Sequence, residues 1–151
     1  LPAYAECGGL MYLSRSLSWH GRRCEMVGVI PGDCVMHEKP QGRGYVRLQE
    51  TRHAPWPPGP QAREFAAHEF HYSALENLPD TLQFAYAVKR GTGIDSRHDG
   101  IVMHRLLACY SHQRTTASNR WTEHFLSFVA HCKSQRNHSE THCRRLKGRK
   151  T

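Results

Sequence analysis

The run Pro2-Ala3-Tyr4-Ala5-Glu6-Cys7-Gly8-Gly9-Leu10 constrains this chain more than any other stretch of it. Residues 2–6 read as a short buried strand, Cys7 closes it, and two glycines turn the chain sharply. Leu10, Met11 and Leu13, with Leu17 and Trp19 further on, suit a short helix that buries one face. A cysteine between strand, tight turn and helix is lifted above the end of a sheet, as in a nucleophile elbow. The helix N-terminus lowers a thiol pKa there and favours the reactive thiolate. The Gly8 amide can donate to the oxyanion of a tetrahedral intermediate, and glycines at 8 and 9 allow close approach of a substrate. A buried, inert cysteine would fit the same pattern, and spacing alone does not separate the two.

Beyond that turn, residues 25–30 read as a strand that Pro31-Gly32-Asp33 stops. Tyr45, Arg47 and Gln49 alternate with Val46 and Leu48, the signature of a half-buried strand over residues 44–50. Four prolines in residues 54–60 exclude both a ladder and a helix, so this stretch is a loop. Strands are expected at 65–72, 82–88, 101–103 and 106–110. A helix is expected from about residue 119 to 132, with Trp121, Phe125, Phe128, Val129 and Cys132 at helical spacing. Residues 1–132 form one expected domain. Residues 133–151 turn polar and basic and are expected to be disordered.

Charge follows this division. Of 21 Lys and Arg residues, Arg144, Arg145, Lys147, Arg149 and Lys150 sit in the tail; without them the net charge falls from +8 to +3. The basicity is that of a solvated tail. No interleaved aromatics accompany it, so nucleic acid is not expected as a partner. No apolar run reaches the ~20 residues of a membrane span, and no signal segment opens the chain. Six cysteines scattered over 151 residues form no compact disulfide framework, so reduced thiols in a cytoplasmic protein are expected. The opening Leu1-Pro2 suggests the middle of a longer protein.

The segment from Pro2 through Cys7-Gly8-Gly9 to Leu13 resembles the nucleophile segment of cobyrinate a,c-diamide synthases, glutamine-dependent enzymes of cobalamin biosynthesis. Further landmarks follow in that family's order: Met26-Val27-Gly28-Val29-Ile30-Pro31, Gly44-Tyr45-Val46, His68-Glu69-Phe70-His71-Tyr72-Ser73, Asp99-Gly100 and Ala108-Cys109-Tyr110-Ser111-His112. The resemblance covers about residues 2–130.

It implies an α/β fold, the C-terminal portion of a class I glutamine amidotransferase-like, flavodoxin-like sandwich. It implies Cys7 as nucleophile and His112 as base, with Gly8, Gly9, Glu69 and His71 as oxyanion or substrate-binding residues. The substrates implied are glutamine and, through a separate N-terminal domain, a tetrapyrrole carboxylate activated with ATP and Mg2+. This segment has no Gly-rich phosphate loop with Lys and Ser or Thr, so ATP binding is not encoded in it. The isolated segment, lacking the upstream oxyanion loop, is expected to be inactive.

One departure stands out: position 114 is Arg, where many of these synthases carry a second histidine. Relatives that amidate siroheme or a similar tetrapyrrole are an alternative. His68-Glu69-Phe70-His71 is not the zinc-protease pattern; on a strand His68 and His71 face opposite ways, and a packing role is the alternative for Glu69 and His71. His131, Cys132, His138, His142 and Cys143 offer ligands that zinc accepts, but their spacing matches no standard zinc module, and no metal is expected.

Overall fold

Leu106-Leu107-Ala108-Cys109 is apolar at every position, and all four residues are buried. Such a run belongs at the centre of a sheet, covered on both faces. It forms strand β10, and the other elements assemble around it. The computed structural model describes residues 1–56 and 62–147, with the backbone alone for 136–147. In chain order these are β1 (Ala3–Glu6), α1 (Gly8–Leu13), β2 (Ser14–Trp19), β3 (Arg22–Glu25), β4 (Ile30–Met36) and β5 (Gly42–Glu50). There follow β6 (Glu64–His71), β7 (Ser73–Glu76), β8 (Gln83–Arg90), β9 (His98–Met103), β10 (Leu106–Cys109) and α2 (Trp121–Lys147).

A six-stranded sheet takes the order β1-β10-β9-β8-β5-β6, and a four-stranded sheet the order β3-β2-β4-β7. In the larger sheet only β1 and β10 run parallel, pairing Ala3 with Leu106 through Glu6 with Cys109. Alternation along β10 sends Leu106 and Ala108 to one core and Leu107 to the other. The first core joins them to Leu10 of α1, Ile30 and Cys34 of β4, and Leu75 of β7, and so cements the two sheets. The second lies on the opposite face with Val46, Leu48, Trp56, Phe65 and Tyr86. There α2 docks, with the Trp121 and Phe125 rings 4.6 and 6.0 Å from that of Tyr4.

The larger sheet curls. Although β1 and β6 lie at opposite ends of the strand order, His68 of β6 pairs antiparallel with His112, just beyond β10. The His112 amide donates to the His68 carbonyl at 2.6 Å, and the return bond is 3.1 Å.

Three expectations need correction. Leu17 and Trp19 lie in β2, not in a continuing helix. α1 stops at Leu13 because the amides of Val27 and Gly28 bond the carbonyls of Tyr12 and Ser14, while the Ser14 hydroxyl bonds that of Met11. Residues 26–29 form no strand, and Pro31-Gly32-Asp33 lies inside β4. The register shifts between Ser14↔Ile30 and Ser16↔Asp33, leaving one extra residue on β4, and such a bulge is where a strand tolerates proline and glycine. The backbone of α2 runs on to Lys147, past the disorder expected from residue 133. No Gly or Pro interrupts the sequence from Trp121 to Lys147, so nothing local ends the helix. Residues 57–60 of the proline-rich stretch and residues 148–151 of the tail lie outside the described residues, as do the side chains of His138, His142 and Cys143.

Candidate active site

Because β1 and β10 are parallel, whatever follows each strand emerges at the same end of the sheet. Cys7 follows β1; Tyr110, Ser111 and His112 follow β10. The Cys7 amide donates to the Cys109 carbonyl at 2.8 Å, extending the pairing by one step before the chain turns. Cys7 takes φ 45° and ψ −102° as the residue capping α1, and its carbonyl accepts the first helical bond from Met11 at 3.0 Å. A side-chain-bearing residue held at positive φ costs about 1–3 kcal/mol and persists only where its surroundings enforce it. This is the strand-turn-helix junction expected from the sequence.

The thiol is half-buried, and its sulfur lies 3.9 Å from the Phe70 carbonyl oxygen of β6. Its protonation differs from the expectation. Burial pushes the Cys7 thiol above its ordinary value, the Glu6 carboxylate adds to the rise, and a hydrogen bond from the Gly8 amide offsets them only in part. The thiol therefore needs a base. The Gly8 amide, at the first helical position and without an intrahelical partner, is a backbone donor of the kind that stabilises an oxyanion. A side chain at Gly8 would meet open space, whereas one at Gly9 would touch the Ala5 Cβ at 3.3 Å.

His112 reaches this end of the sheet on a rigid mount. Asp99 of β9, fully buried, accepts the amides of Tyr110 and Ser111 at 3.0 and 2.9 Å and the Ser111 hydroxyl at 2.5 Å. The His68 bridge holds the next residue, and the His112 Nδ1 lies 3.2 Å from Glu6 Oε2. His104 occupies the turn between β9 and β10, the far end of β10 from Cys7.

Glu69 and His71 are placed as supports. Along β6 exposed and buried residues alternate, so His68 and Phe70 face outward while Glu69 and His71 face in, as the alternation predicted. Glu69, 1% exposed, accepts the amides of Thr92 and Gly93 at 2.8 Å each. Burial raises its pKa, but His71 and those two amides outweigh it and hold the carboxyl below the usual range. The His71 ring stacks on Tyr110 at 3.8 Å and bonds the Ser73 carbonyl through Nδ1. A side chain at Gly42 would collide with that ring. His71 thus packs β6 against Tyr110, two residues before His112, while Glu69 ties β6 to the turn between β8 and β9.

A family model described as the CobB/CobQ-like glutamine amidotransferase domain matches residues 1–120. The chain belongs to that family. A cobyrinate a,c-diamide synthase from Magnetococcus marinus is 45% identical over 128 residues, 85% of this chain and 27% of that protein. One from Archaeoglobus fulgidus is 42% identical over 111 residues, 74% of this chain and 24% of that protein. The chain thus spans about a quarter of the length of the curated relatives it matches. A crystal structure named for one subunit of GMP synthase, from Thermoplasma acidophilum, superposes with TM-score 0.60 at 16% identity over 92% of this chain and 61% of that one. A second, named glutamine amidotransferase, gives 0.54 at 12% identity over 84% and 60%. These two likenesses show the fold, an amidotransferase-like α/β architecture. Among the described residues no helix is long and apolar enough to cross a membrane.

The sequence of this amidotransferase domain assigns no role to Tyr4, Glu6, Tyr86, Asp99 or Gln113, which surround the candidate site. Tyr4 donates to Glu6 Oε1 at 2.6 Å, and the Gln113 amide donates to the same oxygen at 2.9 Å. The Gln113 side chain binds the Tyr4 and Tyr86 hydroxyls at 3.3 and 2.7 Å, and Asp99 holds the end of β10. One signal was available for Tyr4 and Glu6: on a strand, residues two apart share a face. What that face meets depends on the β1–β10 register, which no local pattern encodes.

Proposed function

We propose that this chain hydrolyses glutamine at Cys7 and His112 and supplies ammonia within a larger cobyrinate a,c-diamide synthase-type ligase. The observation that carries the reading is the convergence at one end of the parallel β1–β10 pair. There Cys7 sits in a strained turn at the start of α1, and His112 is mounted on the adjoining strand end. His112 takes the Cys7 proton, and the thiolate attacks the side-chain amide carbon of glutamine. The oxygen of the tetrahedral intermediate accepts the Gly8 amide. Histidinium then gives its proton to the departing nitrogen, which leaves as ammonia, and a γ-glutamyl thioester forms on Cys7. His112 next deprotonates water, which attacks the thioester and releases glutamate and the thiol.

The likeness to synthases from a bacterium and an archaeon supports cobyrinate as the carboxylate acceptor. ATP and Mg2+ would activate that acceptor in the remainder of the enzyme, and this chain contributes ammonia alone. By itself the chain should therefore show little activity.

In the complete enzyme, Cys7→Ala should lower glutamine-dependent amidation by roughly 10⁴-fold or more, as loss of a covalent nucleophile does. Amidation with added ammonium salt should persist near the wild-type rate. Loss of both activities would refute an ammonia-supplying role for Cys7.

A further inference from the structure

We infer that Glu6, the residue directly before the nucleophile, is the positioning carboxylate of His112, so that the site works as a Cys7–His112–Glu6 triad. The inference rests on the proposed roles of Cys7 and His112 and deepens them.

The geometry assigns every lone pair that matters. Glu6 Oε1 is fully engaged, by the Tyr4 hydroxyl at 2.6 Å and the Gln113 amide at 2.9 Å. These two donors hold the carboxylate plane and leave Oε2 directed at His112 Nδ1, 3.2 Å away. An ionised carboxylate only accepts hydrogen bonds, so Nδ1 must carry the proton of the neutral ring. That choice leaves the lone pair on Nε2, which makes no hydrogen bond among the described residues. Nε2 is therefore the atom that can take the Cys7 proton. When it does, Glu6 faces the cation that forms and stabilises it. A base held in one tautomer by a carboxylate on its other nitrogen is the general logic of nucleophile–base–orienter sites.

The placement of Glu6 has a topological reason. β1 and β10 are parallel, so the last residue of β1 lies beside the residues that follow β10, although 106 positions separate Glu6 from His112. Extended backbone up to Glu6 puts its side chain on the same face as Tyr4, toward α2. The abrupt change of backbone at Cys7 then frees the thiol from that alternation. Two adjacent residues thereby deliver both nucleophile and orienter, and His112 follows the neighbouring strand.

The pair is partly solvent-exposed, with side chains 26% and 41% accessible, so its loss should be felt less than that of a sealed carboxylate. In the complete enzyme, Glu6→Gln should lower kcat for glutamine hydrolysis roughly 10–100-fold with KM for glutamine changed less than about threefold, the range seen when an outer partner of a working histidine is removed. Glu6→Asp should recover part of that loss. Nitrogen NMR of histidine-labelled wild-type enzyme should report His112 protonated at Nδ1, and Glu6→Gln should redistribute the proton toward Nε2.

A Glu6→Gln enzyme with wild-type kcat, or a wild-type His112 protonated at Nε2, would overturn the inference. The tautomer reading needs no variant, so it decides the matter even if Glu6→Gln fails to fold. Failure of the underlying reading looks different: Cys7→Ala would retain glutaminase activity whatever the Glu6 variants do, and the triad would fall with it.

Discussion

At the scale of single residues, Cys7 combines a reactive group with an unfavourable backbone. Its φ of 45° is one that glycine adopts freely and that side-chain-bearing residues avoid. Removing the thiol as Cys7→Ala keeps the strain, whereas Cys7→Gly removes both thiol and strain. The glycine variant should therefore be more stable than the alanine variant by about 1 kcal/mol or more, as read by urea unfolding. Equal stability would mean that the turn costs the fold nothing. Cys7 and His112 stand out in the sequence as candidates because their neighbours, Gly8-Gly9 and Ala108-Cys109-Tyr110-Ser111, form ordered motifs. Glu6 was written beside Cys7 all along, but a carboxylate becomes an orienter only through its partner. That partner is set by strand register and not by sequence distance.

At the scale of elements, the smaller sheet depends on one carboxylate. Asp33 of β4 accepts the Ser16 hydroxyl at 2.7 Å, Arg15 at 3.0 and 2.5 Å, Arg23 at 3.0 Å and Asn77 at 2.9 Å. It thereby ties β2, β3, β4 and the end of β7 together. Arg15 above all, then Ser16 and Asn77, hold its carboxyl far below the usual carboxylate range. A carboxyl whose folded pKa is depressed adds stability above its unfolded value, about 3.9, and loses it as pH falls toward the folded value. Urea unfolding should therefore find Asp33→Asn less stable than wild type at pH 6, with the gap narrowing steadily below about pH 4. A gap independent of pH would rule out the charge as the cause. The same carboxylate explains why Pro31-Gly32-Asp33 misleads as a stop signal. Locally it reads as a turn, yet a bulge absorbs the extra residue and tertiary bonds fasten Asp33 into the ladder. Strands with strict alternation, such as β5 with Val46 and Leu48, were legible because one face alone carries the signal. β3, exposed throughout, and the short β7 carry little apolar periodicity of their own.

At the scale of the whole molecule, α2 grips the rest through its first turns. Trp121 and Phe125 meet Tyr4, and Arg63 joins His124 to Glu50. Val129 and Cys132 then line a groove with Leu1, Pro2 and Arg105. Residues 133–151 of the complete enzyme are accordingly proposed to be dispensable, and their removal should leave glutamine hydrolysis intact and change stability by no more than about 0.5 kcal/mol. A fall in activity or melting temperature on removal, together with a zinc-dependent gain in the intact protein that a chelator abolishes, would instead promote His131, Cys132, His138, His142 and Cys143 to a metal site. The curl of the larger sheet carries a further consequence. His112 is seated by His68, from the strand farthest from β1 in the sheet order, so its seat forms only when the curled sheet closes. On the roles proposed for Cys7 and His112, a partly assembled chain would carry the cysteine without its base and would consume no glutamine. On those roles, completion of the fold would act as a licence to begin turnover, and an unfinished molecule would release no ammonia.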